Sequence, residues 1–367
     1  MKRSELTLKP KNTLKESTAD SICSLSSLGE LTELTEAEKN WKETADSLPV
    51  KVTKYYFSLI DKSDFNDPLR LQVFPSVYEN HVSTGEDPDP LSEVSHSHSE
   101  RLIHRYSNRV AFLTTDYCAQ YCRHCFRRRF TGNMYGPASD KDIDFACNYL
   151  SEHTEICEML LTGGDVLTLD NRKIEKMVSR FREVSPHLII RICTRIPVVE
   201  PSRIDDELVR LFVKHDTAPF FLMVQYNHPR ELTRISVNSV KKFINAGIPA
   251  FNQTVLLHRV NDDADVLEKL FNALLYNRIK PYYVFQGDLV SGTSHFRVQI
   301  SRTLEIEKEL RKRLSGLAMP AFVLDLPQGG GKVPLCGSYI VSDDSGKWTF
   351  NNLNGERRIY YDSDVIL

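Results

Sequence analysis

Residues 109–130, RVAFLTTDYCAQYCRHCFRRRF, run from an apolar, β-rich stretch directly into three cysteines, Cys118, Cys122 and Cys125, set among Arg123, Arg127, Arg128 and Arg129. The first half reads as a buried strand, bounded by the polar turn that follows it. The second half is unusual chemistry placed at that strand's end. Three sulfurs in a C-x3-C-x2-C spacing are one too few for an all-cysteine structural zinc site and one too many for a dithiol redox pair. Three thiolates can hold three irons of a four-iron cluster and leave the fourth iron open to a small ligand. A zinc site completed by His124 or His104 is the alternative reading of the same residues.

Outward from this stretch a rhythm appears. Apolar runs at 158–165 (EMLLTGGD), 188–198 (LIIRICTRIPV), 219–229 (PFFLMVQYNHP), 250–260 (AFNQTVLLHRV) and 281–292 (PYYVFQGDLVSG) alternate with charged helical patterns such as 171–184 (NRKIEKMVSRFREV) and 263–278 (DADVLEKLFNALLYNR). Strand alternating with helix implies βαβ units and a parallel sheet. The six units are fewer than a closed eight-fold barrel needs, so the expectation is α/β, a partial (β/α)6 TIM-like barrel. Each run ends in polar or reactive residues: the cysteines, Gly163-Gly164-Asp165, Arg195, Gln225 to His228, Gln253 and Asp288. Strand C-termini carry the active site in α/β barrels, so these ends are expected to share one cavity.

The flanks read differently. Four segments are expected: a disordered tail over 1–30, a helical region and loop over 31–103, the barrel over 104–300, and a C-terminal segment with a β meander over 301–367. Residues 27–48 have the pattern of an amphipathic helix, with Thr35 as N-cap and Glu38 three residues on. Residues 86–100, EDPDPLSEVSHSHSE, are a loop by their Pro, Ser and acidic content. Its His96 and His98, with His81 and His104, read as solvated rather than metal-binding. Residues 338–362 read as three short strands with turns at Asp344-Ser345-Gly346 and Asn354-Gly355.

Composition excludes several classes. The formal net charge is -2, from 47 basic and 49 acidic residues, which recommends neither nucleic acid nor a membrane surface as partner. No apolar run approaches the ~20 residues of a spanning helix, and the basic start lacks the apolar core of a signal peptide, so a cytoplasmic protein is expected. Of eight cysteines only three cluster, unlike a secreted disulfide framework.

One more motif carries chemistry. Residues 324–335, LDLPQGGGKVPL, place Lys332 behind three glycines. A P-loop is excluded, because Leu326 stands where that motif needs Gly and Val333 where it needs Ser or Thr. A lysine on a loop that approaches a bulky ligand closely suits a Schiff base to an aldehyde cofactor.

The cysteine spacing, followed one strand later by Gly-Gly-Asp, resembles the radical S-adenosylmethionine superfamily. The ordered matches CRHCFRRRF, LTGGD, TRIPVV, NHPRELT, FNQTVLL, PYYVFQGDL and VLDLPQGGGK, spread from about Leu34 to Tyr361, resemble the lysine 2,3-aminomutase family in particular. The resemblance implies a [4Fe–4S] cluster on Cys118, Cys122 and Cys125, and S-adenosylmethionine at His124, Gly163, Gly164 and Asp165. It implies pyridoxal 5′-phosphate bound as a Schiff base to catalytic Lys332, with its phosphate near Arg105, Arg109 and Gln253. The substrate carboxylate would meet Arg127, and the ε-ammonium of lysine would meet Asp288 and Asp325. The implied activity is an isomerase interconverting L-lysine and β-lysine through a 5′-deoxyadenosyl radical and 1,2-amino migration. The alternatives are a lysine aminomutase serving elongation factor P, or a glutamate 2,3-aminomutase. A small amino acid, an external one-electron reductant and other copies of the chain in a homo-oligomer are the implied partners. Three departures stand out: Gln328 replaces a family glycine, Phe285 a family tyrosine, and no cysteine follows Cys336, so an intersubunit zinc site found in some members is expected to be missing.

Overall fold

The structure is a computed structural model and describes residues 21–44, 47–132, 135–344 and 347–361. Nine strands form one sheet in sequence order: β1 (Leu102–Tyr106), β2 (Arg109–Thr115), β3 (Glu158–Gly163), β4 (Ile189–Thr194), β5 (Phe220–Val224), β6 (Ala250–Val255), β7 (Ile279–Phe285), β8 (Ala321–Leu326) and β9 (Gly331–Pro334). The pairings from β2 through β8 are all parallel, and β1 and β9 close the two edges antiparallel. Helices α1 (Asp140–Glu152), α2 (Asn171–Val184), α3 (Asp206–Lys214), α4 (Arg234–Asn245), α5 (Ala264–Tyr276) and α6 (Ile300–Arg313) fall between successive parallel strands. The expected six strand–helix units are therefore present, and β8 adds a seventh parallel strand that the apolar pattern had not revealed.

The strands alternate as a half-buried sheet must. In β3 and β4, Met159, Leu161, Ile190 and Ile192 are buried in the core, while Leu160, Thr162, Arg191 and Cys193 face a cavity inside the curved sheet. The helices cover the outer face with apolar stripes. In α2 these are Ile174, Met177, Val178 and Phe181, at the i, i+3, i+4, i+7 spacing of one helix side. Side chains such as Arg191, Gln253 and Tyr283 on the inner face keep the barrel interior from closing into a packed core.

The N-terminal expectations are partly revised. Of the tail expected over 1–30, residues 1–20 lie outside the described residues, and a Ser24-capped helix spans Leu25–Leu31. The amphipathic pattern of 27–48 is not one helix. The chain turns extended at Thr32, then restarts as a single turn, Glu36–Lys39, capped by Thr35 with the reciprocal Glu38 contact expected. Glu38 is drawn into the interior instead of lying on a helix surface, because buried Arg70 holds it through Nε at 2.9 Å. The C-terminal meander is β10 (Ile340–Asp344), β11 (Lys347–Asn351) and β12 (Arg357–Tyr361). Of the first expected turn, Ser345 and Gly346 lie outside the described residues.

Two glycines seat the cysteine loop on the sheet. Gly163 has φ +111, and a Cβ there would lie 2.6 Å from the carbonyl oxygen of Thr115. A Cβ on Gly164 would collide with the carbonyl oxygen of Tyr117, while the amide of Asp165 donates to that same oxygen at 3.0 Å. Neither backbone can yield without parting β2 from β3. Gly164→Ala is expected to destabilise the protein by at least about 2 kcal/mol, read from urea midpoints against the wild type.

Candidate active site

Cys118, Cys122 and Cys125 lie on the loop that leaves β2, and all three line the cavity. The N-terminal region holds this loop in place. Tyr121 N donates to Lys51 O at 3.0 Å, Arg123 N to Gln72 O at 2.9 Å, and Lys51 Nζ to Cys118 O at 3.1 Å. Burial pushes the Cys118 and Cys125 thiols up, with the neighbouring thiols adding to the rise. A cation shared among the sulfurs would reverse that balance, since thiolate is the ligating form. The donor set thus fits an iron–sulfur cluster held at three irons. Among the described residues, no group of three or more His, Cys, Asp or Glu side chains is arranged to hold a single metal ion.

The arginines of this run do not gather around the sulfurs. Arg123 and Arg128 both bind Glu79, with Arg123 Nε at 2.7 Å and Arg128 Nη2 at 2.8 Å. Arg127 and Arg129 both bind Glu93, through Arg127 Nε at 3.0 Å and Arg129 Nη2 at 3.2 Å. Burial pulls both glutamates' pKa values up, but the paired guanidinium groups outweigh it and hold them below the usual carboxylate range. The arginine that does touch a sulfur comes from the end of β4: Arg195 Nη1 donates to Cys122 Sγ at 2.6 Å, and its Nη2 to Glu231 and Gln72 at 2.7 Å.

Beside the cysteines stand the residues expected for the adenosyl cofactor. His124 is buried, and Asn227 Nδ2 lies 3.3 Å from its Nε2. Burial and then Arg195 keep the ring neutral, and the Asn227 donor on Nε2 makes Nδ1 the protonated nitrogen, a buried donor without a partner among the described residues. The Asp165 carboxylate is raised to about 6 by burial, against the hydrogen bonds it accepts. Those come from Arg195 N at 2.6 Å, Thr194 Oγ1 at 2.8 Å and Leu167 N at 3.0 Å. Its side chain therefore ties the ends of β3 and β4 together while the residue borders the cavity.

Strands β7, β8 and β9 build another part of the cavity wall. Antiparallel pairing of β8 with β9 puts Lys332 directly across from Asp325, and the two side chains form a short ion pair. Lys332 Nζ lies 4.2 Å from the ring centre of Phe285 and 5.5 Å from that of Tyr283. Burial lowers the Lys332 pKa, with Asp325 opposing. Asp288, on the loop after β7, is raised to about 7 by burial and then by Asp325. Arg105 on β1 comes within 4.0 Å of Asp325, and its Nε and Nη2 are buried donors without a partner among the described residues. Arg109 lies over the Tyr106 ring at 3.8 Å and donates to Asn108 Oδ1 at 3.0 Å. Two unpartnered guanidinium donors beside an amine of lowered pKa fit a phosphate-bearing aldehyde.

One cavity of about 750 Å³ is lined by every residue expected to hold the cluster, the two cofactors or the substrate, from Cys118, Cys122 and Cys125 across Arg127 and Gln253 to Asp288, Asp325 and Lys332. That volume sits high in the range of small-molecule clefts. Glu79, Glu93 and Arg195 were not found by sequence reasoning as partners of the cysteine loop. Their signal was absent because each lies at least thirty residues from its partner, Glu79 on a 3-10 turn and Glu93 in the acidic loop. His104, weighed as a zinc ligand, lies elsewhere, with its Nδ1 2.8 Å from Tyr149 Oη. His228 caps the turn at Pro229–Glu231.

This chain is similar to several known proteins. The family profile described as lysine-2,3-aminomutase matches residues 306–365. The L-lysine 2,3-aminomutase of Acetoanaerobium sticklandii is 41% identical over 328 residues, covering 89% of this chain and 78% of the relative. That of Clostridium subterminale is 40% identical, covering 87% and 76%. The glutamate 2,3-aminomutase of Clostridioides difficile is 38% identical, covering 90% and 78%. Among solved structures, anSMEcpe with bound AdoMet and a peptide has a TM-score of 0.44 at 12% identity over 56% of this chain and 59% of that one. Methylornithine synthase has a TM-score of 0.37 at 14% identity, over 81% and 87%. Those two likenesses are too loose to carry more. Identity near 40% along most of both chains is not, and it shows that this chain belongs to the lysine 2,3-aminomutase family, a family of isomerases.

Proposed function

We propose that the chain is a radical aminomutase dependent on S-adenosylmethionine and pyridoxal phosphate, moving the amino group of free L-lysine between C2 and C3. The observation that carries this reading is that the cysteine triplet and Lys332 line one cavity, with two acids at the Lys332 end. When bound, the cluster and the adenosyl cofactor supply a hydrogen-abstracting radical, and the aldehyde cofactor supplies the imine through which nitrogen moves. Cys118, Cys122 and Cys125 would hold the cluster. His124 Nδ1 and the Gly163-Gly164-Asp165 edge would receive the adenosyl cofactor. Lys332 would hold the aldehyde, and Arg105, Arg109 and Gln253 its phosphate. An external one-electron reductant completes the set.

The choice of lysine rests on charge. In the structure the ε-ammonium of Lys332 sits on Asp325. Once that amine is engaged elsewhere, Asp325 and Asp288 lose the ammonium beside them and keep only Arg105, 4.0 Å from Asp325. A substrate ammonium in the same place relieves both, whereas a substrate γ-carboxylate adds a third negative charge. The same acids argue against glutamate despite the similarity of a glutamate-specific relative.

Three outcomes are expected. Anaerobic incubation of the reconstituted protein with S-adenosylmethionine, a reductant and L-lysine yields β-lysine by product chromatography, with glutamate and a lysylated translation factor untouched. Turnover of glutamate alone refutes the assignment of the acids. Asp325→Asn lowers kcat/KM for lysine at least about 100-fold, the effect of removing about 3 kcal/mol of buried ion pairing.

The third outcome concerns pH. With its pKa raised to about 7, Asp288 stays protonated in the folded ligand-free protein through a range where the unfolded chain has lost that proton. The folded state then binds more protons, so this group makes stability fall as pH rises from about 4 to about 7. Urea midpoints at pH 5 and pH 8 should therefore differ less for Asp288→Asn than for the wild type. An equal difference in the two proteins would remove the assigned shift.

A further inference from the structure

The acidic loop over 86–97, read from the sequence only as a connector, touches three of the cavity's working parts. Asp87 N donates to Leu289 O at 2.9 Å, next to Asp288. Gln328 N donates to Pro90 O at 3.1 Å, on the turn that precedes Lys332. Gln328 holds φ +55, a left-handed conformation rare for a residue with a side chain, at this contact. Just after these attachments, Leu91 and Glu93 line the cavity wall.

Glu93 is the informative residue. It is 8% exposed, and it grips Arg127 with both oxygens, one on Nε and one on Nη2. Arg127 Nη1 donates to Thr162 Oγ1 at 3.1 Å. A guanidinium carries five N–H donors in a fixed plane. Glu93 takes two and Thr162 one. One donor on each terminal nitrogen remains, and Arg127 borders the cavity. That pair is the geometry for a second, bidentate carboxylate. A carboxylate clamped on one edge of a guanidinium fixes its plane and offsets its charge, so that the other edge presents a preformed fork. Glu93 in turn is held by its own loop, since its amide donates to Asp89 Oδ1 at 3.0 Å and Arg129 bridges Asp89 and Glu93.

We propose that Glu93 is a positioning residue that sets the free edge of Arg127 for the α-carboxylate of the amino-acid substrate. It acts through Arg127 and does not itself touch the substrate. The proposal rests on the aminomutase reading for the identity of the substrate, but its test can be read without turnover.

The experiment compares wild type and Glu93→Gln, both loaded with pyridoxal phosphate and free of S-adenosylmethionine, by the absorbance change on titration with L-lysine and with 1,5-diaminopentane. The second ligand is lysine without its carboxylate. Glu93→Gln keeps the shape but weakens the charged clamp, so lysine binding should weaken about 10-fold or more and diaminopentane binding stay within about twofold. In turnover, the same variant should raise KM for lysine with kcat little changed. Equal weakening of both ligands, or of neither, overturns the proposal, because a merely structural role cannot discriminate by the carboxylate. If Glu93→Gln is not obtained folded, Glu93→Asp, which keeps the charge and shortens the reach, is read by the same ratio. If the wild type takes another amino acid in place of lysine, the substrate assignment falls. The Glu93 test then proceeds with that amino acid and its decarboxylated amine.

Discussion

Four guanidinium groups within seven residues repel one another, and the loop that bears them also bears three sulfurs that must be held still. Two glutamates from distant segments resolve the conflict: Glu79 collects Arg123 and Arg128, and Glu93 collects Arg127 and Arg129. These pairs are largely buried, so each charge taken out of water depends on its partner for compensation. Their effect is to fasten the cysteine loop on two sides, to the turn at Val77–Asn80 through Glu79 and to the acidic loop through Glu93. The positions of the sulfurs and of Arg127 follow from that fastening.

The cavity itself follows from strand alternation. A parallel sheet with helices on one face presents every second side chain to the other face. Here that face carries Arg191, Gln253, Tyr283 and Phe285 where a filled barrel would carry aliphatic layers. The seventh parallel strand matters for the same reason. By adding β8, and then turning back into β9, the chain brings Asp325 and Lys332 into cross-strand register and places both on the wall of the cavity that the cysteines also line. The ion pair they form gives Lys332 a partner.

Much of this was legible in residue order. The alternation of apolar runs with helical patterns gave the six strand–helix units, because each unit's periodicity is local. The polar residues at the strand ends pointed to a common cavity, because parallel strands align their C-termini. Thr35 was legible as a cap through Glu38 three residues later. The helix expected around it was not, because Arg70 pulls Glu38 inward, a contact 32 residues away in sequence. Strand β8 was missed because LDLPQGGGK reads first as a glycine loop, and its pairing with β7 depends on residues about forty positions earlier.

The sequence by itself determined the chemistry available: three closely spaced thiols, a lysine on a glycine-rich turn, and two aspartates among apolar neighbours. Those are short-range facts, fixed by spacing along the chain. Only the tertiary structure decided which charge answers which. It gave the cysteine loop's arginines to Glu79 and Glu93, brought Arg195 to the sulfur of Cys122, and set Lys332 on Asp325. Ion pairs between distant segments leave no periodic trace in a sequence, because their partners are chosen by the fold that brings them within reach.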